Sequence, residues 1–324
     1  MQPMLIFSAT EPGILHINGH FAGEISVDAP LMRPSASHGA LLLDYRPFED
    51  TYRPMARRLV FSGGEPLPEA LESAEGVNCV IWPGGVIEIE LAPMEYLPPQ
   101  QVFSHGGFSF LLKGGLEPKL QCEGRSLCTL PEGASMPRIQ NLRDGTVLLG
   151  ECTGGMYLVT ADTQMRGMTG FLRAKRIEIM PDERIRAIAA PGDTVGHAST
   201  EEWQLTAAGL QLVSSKFSWE HGAPVWPQTP EDTALAAAEA AMAGLDDEAD
   251  GYMLPRLREK HPLREIGSRC DLCVKMKYAL PDSGPCIGLL RLEGGRQARV
   301  EPLHFRAVPS DRHEFPWQLE ELTF

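Results

Sequence analysis

Between residue 1 and about residue 226, no apolar run outlasts a single strand. The runs "ALLLDY", "RRLVF", "NCVIW", "GVIEIEL", "GFSFLL", "TVLLGE", "GMYLVTA", "KRIEIM", "IRAIAA" and "LQLVSS" are short and are separated by Gly, Pro and Asp. Such spacing predicts an all-β region, because turn residues interrupt the chain before any 3.6-residue periodicity can build. Only "PLPEALESAEG" at residues 66–76 reads as a helix. About 220 residues exceed what one small sandwich needs, so two stacked β domains and one closed array both fit. A sandwich-like arrangement is the leading expectation and a propeller the alternative. "VFSGGEPL" at Val60 and "VFSHGGFSF" at Val102 stand 42 positions apart, near a propeller blade's length, without a convincing third copy.

The pattern changes at "PVWPQTPEDTALAAAEAAMAG". Pro224, Trp226 and Pro227 make a stiff connector, and Thr229 then caps a helix with Pro230 in its first turn and Asp232 closing a capping box. Leu235, Ala238, Met242 and Leu245 recur at helical spacing, while Gly244 and the acidic run "DDEAD" read as its end and a turn. A shorter helical stretch carries Tyr252, Met253 and Leu254 up to Pro255. Strands follow in "CDLCVKMKYAL", "CIGLLRLEGG", "ARVEPLHFRAV" and "WQLEELTF". The expected organisation is therefore multidomain: a β-rich domain at 1–100, a second at 101–226 that is either separate or one unit with the first, and an α+β domain at 229–324.

Helix, helix and then strands, opening with "TPEDTALAAAEAAMAG", resembles the nuclear-transport-factor-2-like (cystatin-like) superfamily over residues 229–324. The resemblance implies a curved antiparallel sheet packed on helices around a pocket, frequent dimerisation, and members that are enzymes beside others that only bind or assemble. The superfamily's third helix has only the short "PLREIGSR" as a counterpart. Near the N-terminus, "GILHINGHFAGEI" is similar to the start of PEGA-type β-sandwich repeats of bacterial surface and regulatory proteins, although the naming tetrapeptide is missing. That likeness implies a sandwich and a bacterial protein.

The formal charge of −14 opposes phosphate backbones and anionic lipid unless basic residues cluster, and "RPMARR" and "FLRAKR" are short runs flanked by apolar residues. Neither nucleic acid nor membrane is an expected partner, and no stretch reaches the roughly 18 apolar residues of a membrane helix. The first residues carry no basic segment or apolar core of signal-peptide length, which predicts a cytoplasmic location. Seven cysteines, Cys79, Cys122, Cys128, Cys152, Cys270, Cys273 and Cys286, are scattered among apolar neighbours and read as reduced core residues.

His16 and His20 stand four apart, but Asn18-Gly19 between apolar residues predicts a two-residue type I′ hairpin. In that hairpin Ile17 opposes His20 and His16 opposes Phe21, so the imidazoles point to opposite faces and share no metal. "RCDLCVK" presents a C-x-x-C; read as a strand entrance, its thiols face opposite ways and stay unrelated. No metal or cofactor is expected. Glu88 and Glu90 share one strand face and read as solvated, although paired carboxylates also suit glycosidic acid/base work. Ser37-His38 and Ser104-His105 are sequence neighbours only. "SGGEPL" and "CTGGMY" are Gly-Gly turns and not phosphate loops. Trp203, Trp219, Trp226 and His221 gather near the domain junction, and large aromatic side chains suit packing there. Tyr252, Lys275, His304 and Trp317 are the residues expected at the mouth of a small-molecule pocket in the C-terminal domain. With no specific catalytic motif, the chain reads as a non-enzymatic binding or assembly protein, a homodimer or small-ligand receptor. The alternative is a hydrolase, carbohydrate-active in its favoured form, with carboxylates or a His/Asp pair brought together by the β region.

Overall fold

Glycine turns cut the first 96 residues into strands that build two facing sheets. The computed structural model describes residues 3–35, 38–96, 99–115, 117–260, 262–280, 284–294 and 296–324. Its backbone divides into two units, one of residues 1–96 with 226–324 and one of residues 97–225. Among the described residues no helix is long and apolar enough to cross a membrane.

The first segment holds β1 (Met4–Ala9), β2 (Gly13–Ile17), β3 (His20–Ile25), β4 (Leu31–Pro34), β5 (His38–Pro47), β6 (Met55–Ser62), β7 (Glu65–Pro66), α1 (Pro68–Glu72), β8 (Val77–Trp82) and β9 (Val86–Leu91). Strands β3-β2-β5-β6-β7 form one sheet, while β8-β9-β1-β4 run consecutively in the other. Alternation decides which side chains meet between them. Leu5, Phe7, Ile81, Ile87 and Ile89 from one sheet share a buried core with Leu15, Ile17, Leu43, Tyr45, Leu59 and Phe61 from the other. The two sheets of this segment thus face each other across one core. Asn18 and Gly19 take positive φ of 53° and 79°, and Ile17 pairs with His20 and His16 with Phe21, as the hairpin reading requires.

The second unit contains β10 (Gln100–His105), β11 (Phe108–Lys113), β12 (Lys119–Cys122), β13 (Arg125–Thr129), β14 (Arg138–Leu142), β15 (Gly145–Cys152), β16 (Gly155–Ala161), β17 (Met168–Ala174), β18 (Arg176–Ile179), β19 (Ile185–Ala189), β20 (His197–Thr206) and β21 (Gly209–Trp219). They form three successive four-stranded antiparallel meanders. Their first strands begin at Gln100, Arg138 and Arg176, an interval of 38 residues each time. The middle sheet is covered on both faces: Leu148, Tyr157 and Val159 pack with the first sheet's Phe110, Leu112 and Leu120, and Val147 and Leu158 with the third sheet's Ile177, Ile185 and Leu205. Burial on both faces explains why "TVLLG" and "YLVTA" are continuous apolar runs instead of alternating ones. Gly150 sits beneath the buried Tyr157, whose ring lies 2.6 Å from where a Cβ would be. The repeating unit is therefore this meander. The "VFSGGEPL" and "VFSHGGFSF" pair instead falls on β6 of one unit and β10 of the other.

The last segment carries α2 (Pro230–Met242), α3 (Asp246–Gly251), α4 (Pro255–Arg258), α5 (Ile266–Arg269), β22 (Leu272–Lys275), β23 (Cys286–Gly294), β24 (Gln297–Arg312) and β25 (Phe315–Thr323). Thr229 caps α2 as expected, accepting the Asp232 N–H at 3.0 Å while its hydroxyl donates to the Asp232 carboxylate at 2.7 Å. The "DDEAD" run is a correction to the turn reading. It begins α3, where negative side chains favour the positive end of the helix dipole. Helix α2 packs across β22, β23, β24 and β25 with Ala234, Leu235, Ala237 and Ala238 buried.

The expected autonomy of residues 229–324 is the larger correction. Gln297, Ala298 and Arg299 of β24 pair in parallel with Cys79, Val80 and Ile81 of β8, and the Cys79 N–H donates to the Arg296 carbonyl at 2.9 Å. The helices and strands of this segment therefore complete an eight-stranded sheet begun by the N-terminal segment. Cutting between them leaves the edges of β8 and β24 unpaired along this seam. Residues 226–324 expressed alone are expected to be unfolded by circular dichroism, and to gain β structure when co-expressed with 1–96. A native-like spectrum from the isolated piece would contradict this sheet assignment.

Candidate functional site

The turn that joins β8 to β9 carries Pro83, Gly84 and Gly85, and the two glycines take positive φ of 82° and 78° that other residues adopt only under strain. Its chain reversal leaves Trp82 at one lip of a cleft of about 330 Å³, near the lower end for small-ligand sites. Pro3 and the turn form one wall; Arg299, Val300, Glu301 and Pro302 of β24 form the other, with Glu65 beside them. The parallel β8–β24 pairing brings these walls together.

Arg299 organises its wall. Its Nη2 and Nη1 donate to the two Glu65 oxygens at 2.7 and 3.2 Å, and its Nε donates to Glu293 at 2.8 Å. The fork matches the carboxylate in two parallel bonds, a geometry that lysine cannot reproduce. Glu65 and then Glu293 hold the guanidinium well above its usual pKa. Cys79 lies nearby, but burial above all, with Glu65 adding to it, pushes its thiol up to about 12. That keeps it protonated, so it is no nucleophile at neutral pH.

Glu88 is the second cluster. Its side chain is only 17% exposed, and it accepts from Trp82 Nε1 at 2.8 Å, from the Tyr278 hydroxyl at 2.5 Å and from Lys277 Nζ. Trp82 and Tyr278 meet edge to face with ring centroids 5.6 Å apart. Burial works to raise the carboxyl pKa, but the bonds from Lys277, Tyr278 and Trp82 outweigh it and hold the group below its ordinary 4.5. Burial first, and then the bond to Glu88, push the Tyr278 hydroxyl upward. The solvated-face reading of Glu88 is thereby corrected. Across β8 and β9, Glu90 is also engaged, accepting from Asn78 at 3.3 Å.

The four residues expected at a ligand mouth lie apart from this cleft. Tyr252 is fully buried, edge to face with Phe315 at 4.9 Å and donating to Glu248 at 3.2 Å, so it presents no surface to a ligand. Lys275 is exposed but pairs with Asp232 at 2.6 Å, anchoring the start of α2 to β22. The Trp317 indole donates to the Gln228 carbonyl at 3.0 Å. His304 sits within β24, between Cys286 of β23 and Thr323 of β25. None of the four lines the β8–β9 cleft.

A His/Asp pair does occur, in the second unit. His197 Nδ1 lies 2.8 Å from Asp193 Oδ2, with both side chains about nine-tenths buried, and Phe217 and Trp219 flank the imidazole. The other Asp193 oxygen accepts the Gly196 and His197 N–H groups at 2.8 and 2.9 Å, so the carboxylate shapes the loop as much as it orients the ring. Trp219 therefore packs inside the second unit, whereas Trp226 packs at a tilt against Phe315 in the first, with ring centroids 5.6 Å apart. Ser37 lies outside the described residues.

The C-x-x-C reading also changes. Strand β22 begins only at Leu272, so Cys270 ends α5 and strand alternation does not govern it. Both thiols turn inward and hydrogen-bond one another. That bond lowers the pKa of Cys270, and with burial it raises the pKa of Cys273.

No protein-family model matches the chain, and no curated protein matches it in sequence.

The depressed Glu88 pKa sets a pH dependence. The unfolded carboxyl titrates near 4.5 and the folded one lower, so the stabilisation is whole above that value and is lost as pH falls through the folded pKa. Glu88→Gln is expected to cost about 1–2 kcal/mol at pH 7 and to flatten the acid limb of the stability curve. Urea denaturation between pH 3 and 7, on the order of the carboxyl range, measures both; an unchanged acid limb would contradict the assignment.

Proposed function

We propose that this protein is a non-enzymatic binding protein, with the cleft between the β8–β9 turn and β24 as its small-ligand site. The observation that carries the reading is the state of the charged groups in the cleft and next to it. Arg299 in its wall is held by two carboxylates, and Glu88, outside the lining but bonded to Trp82, is held ionised by three donors. A general acid needs a raised carboxyl pKa, the opposite of what Glu88 has. Rigid walls with satisfied charges suit recognition, because little ordering remains for a ligand to induce. Glu65 and Glu301 at the cleft and a formal chain charge of −14 favour a compact polar ligand that is uncharged or cationic.

Thermal unfolding of the full chain against panels of sugars, amines, amino acids and nucleosides tests this reading. At least one uncharged or cationic compound is expected to raise Tm in a dose-dependent way, with the effect reduced by Glu301→Lys. The opposite result is hydrolysis of a chromogenic glycoside or ester that disappears in Asp193→Asn. That outcome would favour the hydrolase reading, for which the His197–Asp193 pair is the supporting observation.

Self-association is the second part of the proposal. Strand β21 ends its sheet in the pairing order, and along its eleven residues Leu212, Val213 and Phe217 are 50, 53 and 59% exposed. Apolar side chains on a long terminal strand favour pairing with a second copy. Sedimentation of the full chain is expected to show a dimer that Leu212→Ser with Phe217→Ser converts to monomer. A wild-type monomer at every concentration would exclude this part.

A further inference from the structure

The turn that begins β22 brings three sulfur atoms together. Met242 Sδ lies 3.6 Å from Cys270 Sγ and 3.3 Å from Cys273 Sγ. Both cysteines are 5% exposed, whereas Met242, in the last turn of α2, is half-buried and gives solvent a route to the cluster. Helix α2 is alanine-rich where it covers the sheet, and the long, flexible methionine side chain at its end reaches both thiols. Cys270 Sγ also lies 3.6 Å from the Ile266 carbonyl, and the thiols bond one another, so the cluster's polar atoms face inward.

We infer that Cys270, Cys273 and Met242 form a three-coordinate site for a soft monovalent metal ion, Cu(I). Two thiolates and a thioether are the donors that select this ion, since imidazole and carboxylate ligands favour harder ones. A structural zinc site requires four ligands, commonly Cys and His, and a thioether is a poor partner for it. Binding is a ligand exchange without redox change. One Cu(I) enters, two S–H protons leave to solvent, and two Cu–thiolate bonds and one Cu–thioether bond replace the three sulfur contacts. The site would carry a net charge of −1 in an apolar setting, which favours transfer of the ion to a partner over permanent retention. Cys286 lies on the adjacent strand β23, half-buried, and serves as the internal control thiol.

The test is anaerobic titration of the reduced full chain with Cu(I) in competition with a chromogenic Cu(I) chelator. The expected result is one equivalent of Cu(I) withheld from the chelator, with near-ultraviolet thiolate-to-copper absorption. Binding should be lost in Cys270→Ser and in Cys273→Ser, weaker in Met242→Leu and unchanged in Cys286→Ser. Circular dichroism checks that each variant folds, and should the cysteine variants unfold, Met242→Leu decides alone. The inference is overturned if no equivalent is withheld or if Met242→Leu binds as the native chain does.

Discussion

The parallel pairing of Gln297–Arg299 with Cys79–Ile81 is the constraint on which the first unit depends. It is a short seam, yet it joins segments over two hundred positions apart into one sheet. Parallel pairing needs a long connection, and here the chain between β8 and β24 contains the whole second unit, inserted between residues 96 and 226, besides β9, α2 to α5, β22 and β23. Closing so long a loop costs only slowly growing entropy, so a few ladder bonds, the sandwich core and the Arg299–Glu65 fork suffice to hold it. The fork stands at the end of the seam and is partly buried, where ion pairing is screened less than at the surface.

The cleft follows from the same seam. Strand β8 turns back at Pro83 to Gly85 as β24 continues past it, and the divergence opens the space that Pro3, Trp82 and Pro302 line. Glu88 fixes the neighbouring β9 side through Trp82 and Tyr278. The cleft thus belongs to neither chain segment alone. Trp82 and Ile87 come from the N-terminal segment, Arg299 and Pro302 from the C-terminal one.

Local chemistry was legible in the sequence and distant pairing was not. Asn18-Gly19 and Thr229 announced a hairpin and a helix start because their signals lie within four residues, and both form as read. Glu88 looked like one more residue of a solvated strand face because its donors Lys277 and Tyr278 are 189 and 190 positions away. The 38-residue repeat was hidden by its turns. The first hairpins of the three meanders use Gly106-Gly107, Arg143-Asp144 and a loop in which Glu183 takes positive φ, three chemistries for one bend. The C-x-x-C was misjudged by extending β22 two residues too far, which put Cys270 on a face it never occupies. Lys275 and Trp317 were expected at a ligand mouth, but their partners Asp232 and the Gln228 carbonyl make them struts of the fold.

Hydrogen exchange of the full chain, read by mass spectrometry on peptides covering residues 77–82 and 296–303, tests the seam most directly. If β8 and β24 share a ladder, their amides exchange together, at the slow rate set by opening of the first unit as a whole. Fast exchange confined to 296–303 while 77–82 stays protected would mean that β24 opens independently, and would contradict a single sheet built from both ends of the chain.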